Sequence, residues 1–523
     1  MLRINNLKMP LSATAQDLKQ ATAQKLNCQI KDLSGFNITK KSVDARNKQN
    51  VHFVYSVDCD ETIRISQDKD IEKIEPPEKL IYKIKNNGIR PVVVGSGPAG
   101  MFAGLALAEA GLKPIIIERG SEVDIRRQEV DTFWKLGKLN PESNVQFGEG
   151  GAGTFSDGKL TTGIKKDKFT NKVIKELHLA GAPQEILYLA KPHIGTDNLR
   201  IVVKNIRKKI ISLGGEYYFN SKLNDLIIKD NKIIAVQVLH NHEISEISTN
   251  KVFLAIGHSA RDTFEMLYKR GIYMEQKPFA VGARIEHKQF DINKAQYGKF
   301  ADNPYLGAAD YKMAVHLANG RSVYTFCMCP GGQVVAAASE VGRVVTNGMS
   351  EFARNKENAN AALLVGVNSI DFGSEHPLAG MYFQRKLEEQ AFILGGKNYF
   401  APAQSVGDFL HNKKSTKAKS IQPSYAPNIT WSNFSKLFPP VIYETLQMGI
   451  VEMGRKLRGF DNPDAVLTGV ESRSSSPVRI VRDETFQSKI KGLYPCGEGA
   501  GYAGGITSSA ADALKVIYSL CTD

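Results

Sequence analysis

The sequence predicts an α/β protein in three parts. These are a doubly wound nucleotide-binding Rossmann sheet, a small α/β domain ahead of it, and a large mixed α+β domain inserted into it. Three observations predict this. A β-branched run, Pro91-Val92-Val93-Val94, ends in Gly95-Ser96-Gly97-Pro98-Ala99-Gly100 and leads into an alanine-rich helical segment. A second glycine-dense stretch occupies residues 147–160. Near the C-terminus a short apolar run closes on Gly497-Glu498 and enters a helix of small residues, so the chain returns to its opening theme.

In the first motif each glycine has a task. Gly95 permits the tight turn, Gly97 lets backbone approach a pyrophosphate, and Gly100 lets the helix sit close to the strand. The pyrophosphate would rest on free N–H groups at the helix start. The next apolar run, Ile115-Ile116-Ile117, closes on Glu118. An acid roughly 20 residues past the glycines suits a ribose diol. Arg119 follows it, and Arg126 and Arg127 lie on a charged helix, where one is placed to reach cofactor phosphates.

The chain has 523 residues, long enough for two to four domains, and 42% are hydrophobic. A formal charge of +14 raises nucleic acid as a partner, but the lysines are spread and no arginine-rich block occurs. A solvated basic surface, also suited to an anionic small-molecule substrate, is the better reading. Six cysteines in so long a chain do not make a disulfide framework. The first residues lack the apolar core of a signal peptide, and no stretch reaches the ~20 apolar residues of a membrane span. The expectation is a soluble, cytoplasmic protein, with its oligomeric state open.

Residues 1–86 read as the small domain, with a strand from Leu2, a helix over 14–26 and strands at 38–43 and 51–57. A basic turn at 40–46 reads as a solvated loop, with docking or RNA contact as its alternative. Pro76-Pro77 marks a linker. Residues 87–276 form the first part of the nucleotide domain. Inside it, Gly153, Thr154, Ser156, Gly158 and Lys159 belong to a loop wrapped on a flat ring, with Lys159 set to stabilise charge developing there. The helix at 201–213 ends at Gly214-Gly215, and a meander follows at 217–239. Leu254-Ala255-Ile256-Gly257 returns to the sheet, with Arg261 just beyond. Residues 277–464 are the insertion, with strands at 279–287, 321–329 and 334–338, a turn at 347–350 and a helix at 381–396. Residues 465–523 complete the nucleotide domain.

These motifs resemble the FAD-dependent oxidoreductases of the glutathione-reductase-like superfamily. More narrowly, residues 148–160, 256–262, 324–332 and 497–507 resemble a bacterial family of uncharacterised FAD-dependent dehydrogenases. The resemblance implies FAD, with Gly95, Ser96, Gly97, Ala99 and Gly100 holding the pyrophosphate, Glu118 at the adenosine ribose, Leu223 at the adenine, Gly257 at the second signature, Gly497 and Glu498 facing the pyrophosphate and ribityl chain, and Gly505, Ile506 and Thr507 near the flavin ring. Glu498 stands where many members carry aspartate. No second G-x-G-x-x-G follows a strand, which leaves NADH or NADPH as a transient electron donor only.

Lys159, Arg284, Tyr324 and Cys327 are the candidate catalytic residues, with His193, His287 and Gln333 as further substrate-side candidates. Cys327 and Cys329 form a C-x-C pair. The first reading is reduced cysteines lining or supporting the central cavity; a redox dithiol and half a metal site are the alternatives, and His316 alone is poor support for zinc, so no metal is expected. The function expected is hydride transfer between flavin and an organic substrate. The alternatives are a flavin monooxygenase-like hydroxylase, or a flavin-binding protein with an N-terminal RNA- or protein-docking module.

Overall fold

The computed structural model describes residues 1–60, 68–75, 78–163 and 167–522. Its organising element is a five-stranded parallel sheet in the order Leu493–Pro495, Val252–Leu254, Val92–Val94, Ile115–Ile117, Glu216–Tyr218. Four of the five members are short and apolar because both faces of such a sheet are covered, and all their residues are buried. The helix Pro98–Glu109 shows the same logic. It carries almost no polar face because it lies between the sheet and the helices Thr196–Ser212 and Ile506–Ser519.

Residues 279–471 build a seven-stranded mixed sheet. Its order is Ala314–His316, Ser322–Cys329, Asn358–Val367, Phe279–Lys288, Val466–Glu471, Ala401–Ser405, Ile429–Trp431. The helices Ala379–Gly395 and Pro440–Lys456 pack on it. Alongside one parallel nucleotide-binding sheet thus stands a broad, mostly antiparallel sheet.

The N-terminal residues form a four-stranded sheet, Asn37–Asp44, His52–Cys59, Leu2–Met9, Ile71–Lys73. It is covered by the helix Ala15–Leu26, which starts at a Thr14/Asp17 capping box. It joins the rest through backbone bonds, Lys41 N–H to Tyr188 O at 2.8 Å and Ala190 N–H to Lys41 O at 2.9 Å. The expected Pro76-Pro77 linker lies outside the described residues.

Two expectations fail locally. The residues expected to turn at 347–350 instead form the strand Thr346–Met349, paired with Gln333–Ala336. Tyr217 and Tyr218 belong to the edge of the parallel sheet, and the meander is completed by Glu243–Ser248, a polar and exposed strand with no apolar run to announce it.

Candidate functional site

An open cleft runs between the two sheets. One end lies where the strand Val92–Val94 turns into the helix Pro98–Glu109. Gly95 has φ +98°, and a Cβ there would lie 2.4 Å from the Ala255 carbonyl oxygen. A Cβ on Gly100 would lie 1.8 Å from the Gly95 oxygen. These two glycines set the strand–turn–helix geometry. Gly97 differs. Its Cβ would meet only the Gly151 Cα, at 3.8 Å, so its open side faces the cleft. The helix has proline in its first turn and no side-chain cap, which leaves first-turn amides toward the cleft for an anion.

Glu118, at the end of Ile115–Ile117, braces this turn. Its carboxylate accepts from Ser96 N–H at 2.7 Å, Gly148 N–H at 2.9 Å and Gly120 N–H at 3.0 Å. A carboxylate has about four acceptor positions, so one remains for a hydroxyl. Arg119 stacks on Phe147 and pairs with Glu142 and Asp262, closing the outer rim.

The far end is built by the glycine-dense loop below and the seven-stranded sheet above. Lys159 Nζ lies 3.0 Å from Asp157 Oδ2, and Arg354 clamps the same carboxylate at 3.0 and 2.5 Å. Burial pushes the Asp157 carboxyl up, but these two cations outweigh it and hold it below the usual range. The helix Ile506–Ser519 begins beside them at Gly505, φ +107°, again with no side-chain cap. Above sit Phe326, Cys327, Cys329, Asn347, Gly348 and Glu471.

Arg284 ties this roof together from behind. It is fully buried and reaches Glu471 at 3.1 Å, the Cys327 carbonyl at 2.8 Å and Asn347 Oδ1 at 3.0 Å. Burial raises the Glu471 carboxyl above its ordinary range, against the pull of Arg284. Midway along the cleft, burial raises Glu498 to about 7 and, with Arg473 and Arg261 nearby, lowers His258 to about 3. The two side chains are 4.0 Å apart.

Of the residues expected at a site, the adenosine-side group Gly95, Gly97, Ala99, Glu118, Arg119 and Leu223 lines this cleft. So do Gly153, Ser156, Gly158, Lys159 and Cys327 at the far end, and Gly257, Glu498, Gly505 and Ile506 between and beside them. Ser96, Gly100, Thr154, Gly497 and Thr507 stand behind the wall. Thr507 donates to Leu160 O and Thr154 to Glu149 O, and Gly497 leaves room for Ala99.

Four expectations are corrected. Arg127 pairs with Asp131 along its own helix and does not reach the cleft. Arg126 is buried and donates to the carbonyls of Asn144, Val145 and Glu149, so neither arginine is a phosphate ligand. Arg261 is buried in an ion network with Glu340 and Glu388 rather than facing a cofactor. Tyr324 packs on Ala280, Ala362 and Leu364, and Arg284 is a positioning residue behind the wall. His193 stacks on Phe352, His287 bonds the Phe460 carbonyl, and Gln333 accepts from Lys356. The residues that sequence reasoning missed are Asn347, Glu471 and Arg473; each lies in an ordinary strand or just past its end, with no motif around it.

These features fit FAD. The side of Gly97 that a Cβ would fill faces the cleft, and Gly257 and Gly505 have open space where side chains would project. Two uncapped helix starts offer amides at separate points along the cleft, one suited to a diphosphate and one to a ring carbonyl. Among the described residues no cluster of three or more ligating side chains suits a metal ion, and no helix is long and apolar enough to cross a membrane.

Comparison with known proteins agrees. Residues 90–131 match the family model described as FAD binding domain, and residues 278–474 match FAD-dependent protein, C-terminal domain-like. Residues 1–60 match a domain of unknown function. An uncharacterized protein of Clostridium beijerinckii is 49% identical over 524 residues, covering 98% of this chain and 97% of its own. Among solved structures, the anhydrotetracycline hydroxylase OxyS of Streptomyces rimosus is 12% identical, covers 83% of this chain and 68% of its own, and gives a TM-score of 0.34. The FAD complex of glycerol-3-phosphate dehydrogenase from Bacillus halodurans is 12% identical, with 84% and 65% covered and a TM-score of 0.35. These scores are too low to transfer a mechanism. The family match does correct the expected class. Residues 90–131 match the FAD binding domain model, which overturns the glutathione-reductase-like class expected from the motifs.

Proposed function

Given that the chain belongs to one family with the Clostridium beijerinckii protein and is an FAD-dependent oxidoreductase, we propose that it oxidises a small organic molecule by oxygen-using, hydroxylase-type chemistry. The observation that carries this reading is the roof. The flavin end of the cleft lies under the strands Ser322–Cys329, Thr346–Met349 and Val466–Glu471, which shield a reactive centre from water. In this reading the adenosine half of FAD lies at Gly95, Gly97 and Glu118, and the ring lies between residues 151–159 and Gly505. Bound FAD supplies the two-electron chemistry. The protein orients substrate under Phe326 and Asn347, and Lys159 holds positive charge where negative charge develops. NADH or NADPH visits the open side of the cleft as donor. The same reading divides the chain at 1–86, 87–276, 277–464 and 465–523 and places it in the cytoplasm.

Hydride transfer is the second reading, favoured by Glu471 and the Lys159–Asp157 pair as acid–base groups beside the ring. Purified protein should be yellow. Incubated with NADPH and a panel of phenols and unsaturated acids, it should take up oxygen and yield a product heavier by one oxygen atom. A product changed by two hydrogens, without oxygen uptake, would replace the first reading by the second. A colourless protein that takes up no FAD would end both.

Glu498 makes a further expectation. Protonated, it can donate to the cofactor; ionised, it repels a diphosphate. Since burial raises it to about 7, FAD affinity should fall as pH rises through that value, by ~10-fold across about one unit on either side. Fluorescence titration of apoprotein measures this. Glu498→Gln should bind with little pH dependence over the same range.

A further inference from the structure

The C-x-C pair is used by nothing above, yet both cysteines open on the flavin end of the cleft. Cys327 is exposed toward the cleft, while Cys329 is buried in its wall. Neither is engaged in a disulfide, and no metal cluster forms around them among the described residues.

The backbone between them is unusual. The register of Ser322–Cys329 against Asn358–Val367 shifts between Phe326 and Cys329, and Cys327 sits in that irregularity with φ +40°. A β-branched or bulky residue avoids this region, and it costs most residues of order 1–3 kcal/mol. Arg284 holds the conformation from behind by donating to the Cys327 carbonyl at 2.8 Å. The Cys329 sulfur turns back toward the same carbonyl, at 3.3 Å.

The geometry matters for bond formation. In a regular strand, residues two apart have Cα atoms about 6.6 Å apart. That is near the upper limit of about 6.8 Å for a disulfide. Both side chains line the same cleft, and the turned-back Cys329 sulfur stays within reach of residue 327.

We propose that Cys327 and Cys329 form a redox-active dithiol that delivers electrons to the flavin. This rests on the placement of the ring under the roof argued above. In the step, two S–H bonds break and one S–S bond forms between the two sulfurs. Two electrons and a proton pass to the oxidised flavin, and the second proton passes to the flavin or to solvent. A dithiol reductant from outside then reopens the disulfide by thiol exchange and leaves as its own disulfide. The open side of the cleft admits it to Cys327. Although it opens on the cleft, enclosure by the walls pushes the Cys327 thiol up to about 12, while Arg284 and Lys159 pull it down, so each sulfur must give up its proton as it reacts. Burial raises Cys329 as well.

The test uses the flavin-loaded full chain and counts electrons and thiols. After mild oxidation with diamide, anaerobic titration with dithionite should consume about four electron equivalents per flavin, two for the ring and two for the disulfide. Cys327→Ser and Cys329→Ser should each consume about two. Peptide mass analysis after alkylation should show both thiols blocked in the oxidised chain and free in the reduced one, with the oxidised peptide lighter by two hydrogens. Under nitrogen, dithiothreitol should bleach the flavin of the wild type much faster than that of either variant. Two equivalents in the wild type, with both thiols still open to alkylation after oxidation, would overturn the dithiol. So would equal bleaching in all three proteins. Should a variant fail to fold, the wild-type stoichiometry and peptide masses decide the matter alone. A colourless protein would fail the cofactor reading instead, and the disulfide assay needs no flavin to show whether the pair closes.

Discussion

Glu388→Ala is expected to destabilise the protein by about 3–5 kcal/mol, the usual cost of removing one partner from a buried ion network. Glu388 has no exposed surface and receives Arg261 at 2.7 and 2.8 Å, Arg473 at 2.9 and 3.0 Å, and Ser472 Oγ at 2.6 Å. Arg261 opens the helix that follows the nucleotide-sheet strand Val252–Leu254, and Glu388 lies on the helix Ala379–Gly395 against the other sheet. Deleting the carboxylate leaves two guanidiniums out of water with Glu340 as the one acid they still share. Burial opposes the charge on Glu388, but both arginines outweigh it and hold the carboxyl far below its ordinary range. The sign follows: the contribution is present above the unfolded value near 4.5 and is lost as pH falls through the folded one. Urea unfolding at neutral pH measures the loss. A triple replacement of Arg261, Glu388 and Arg473 by apolar residues should cost less than Glu388→Ala alone. A change under about 1 kcal/mol for the single variant would show that water enters the network.

Gly97→Val is expected to fold and yet lose FAD, by ~100-fold or more in affinity, which is about 2.7 kcal/mol. The reason is the contrast among three neighbouring glycines. A Cβ on Gly97 meets protein only at 3.8 Å, so its added methyls would project into the cleft. A Cβ on Gly100 runs into the Gly95 oxygen at 1.8 Å, and one on Gly95 into the Ala255 oxygen at 2.4 Å. Gly100→Val should therefore unfold or aggregate, while Gly97→Val keeps the circular dichroism and melting temperature of the apoprotein. Equilibrium dialysis against FAD separates the two. Tight binding by Gly97→Val would place the diphosphate elsewhere.

The Gly95–Glu118 end of the cleft was legible because its information is local. A β-branched run, three spaced glycines and an acid all fall within 92–118, and backbone sterics give each a fixed meaning. The far end was legible only in its lower wall. Its roof comes from Thr346–Met349 and Val466–Glu471, held in place by Arg284, and nothing in those stretches announces Asn347 or Glu471. The Asn347-Gly348 dipeptide reads as a turn, but pairing with Gln333–Ala336 overrides that preference. Tyr324 and Cys327 were both candidates because they lie near a strand end, yet residues three apart on a strand face opposite sides. Tyr324 stays against alanines, and Cys327, at the register shift after Phe326, reaches the cleft. Arg261 drew attention by following a glycine strand end. Its partners Glu340 and Glu388 are brought close only by the tertiary fold, which is why an ion network was taken for a cofactor contact.

The pairing of Leu493–Pro495 beside Val252–Leu254 has a temporal meaning. During synthesis the earlier strand leaves the ribosome roughly 240 residues before its neighbour exists, a delay of about 12–50 s at bacterial rates. Through that interval the nascent chain carries the phosphate turn but neither Glu498 nor the Gly505 helix start. The edge of Val252–Leu254 stays open to wrong partners until the last strand arrives. The complete cleft thus exists only once the last strand has joined the sheet, and a ribosome that stalls before residue 493 yields a product with half a cleft.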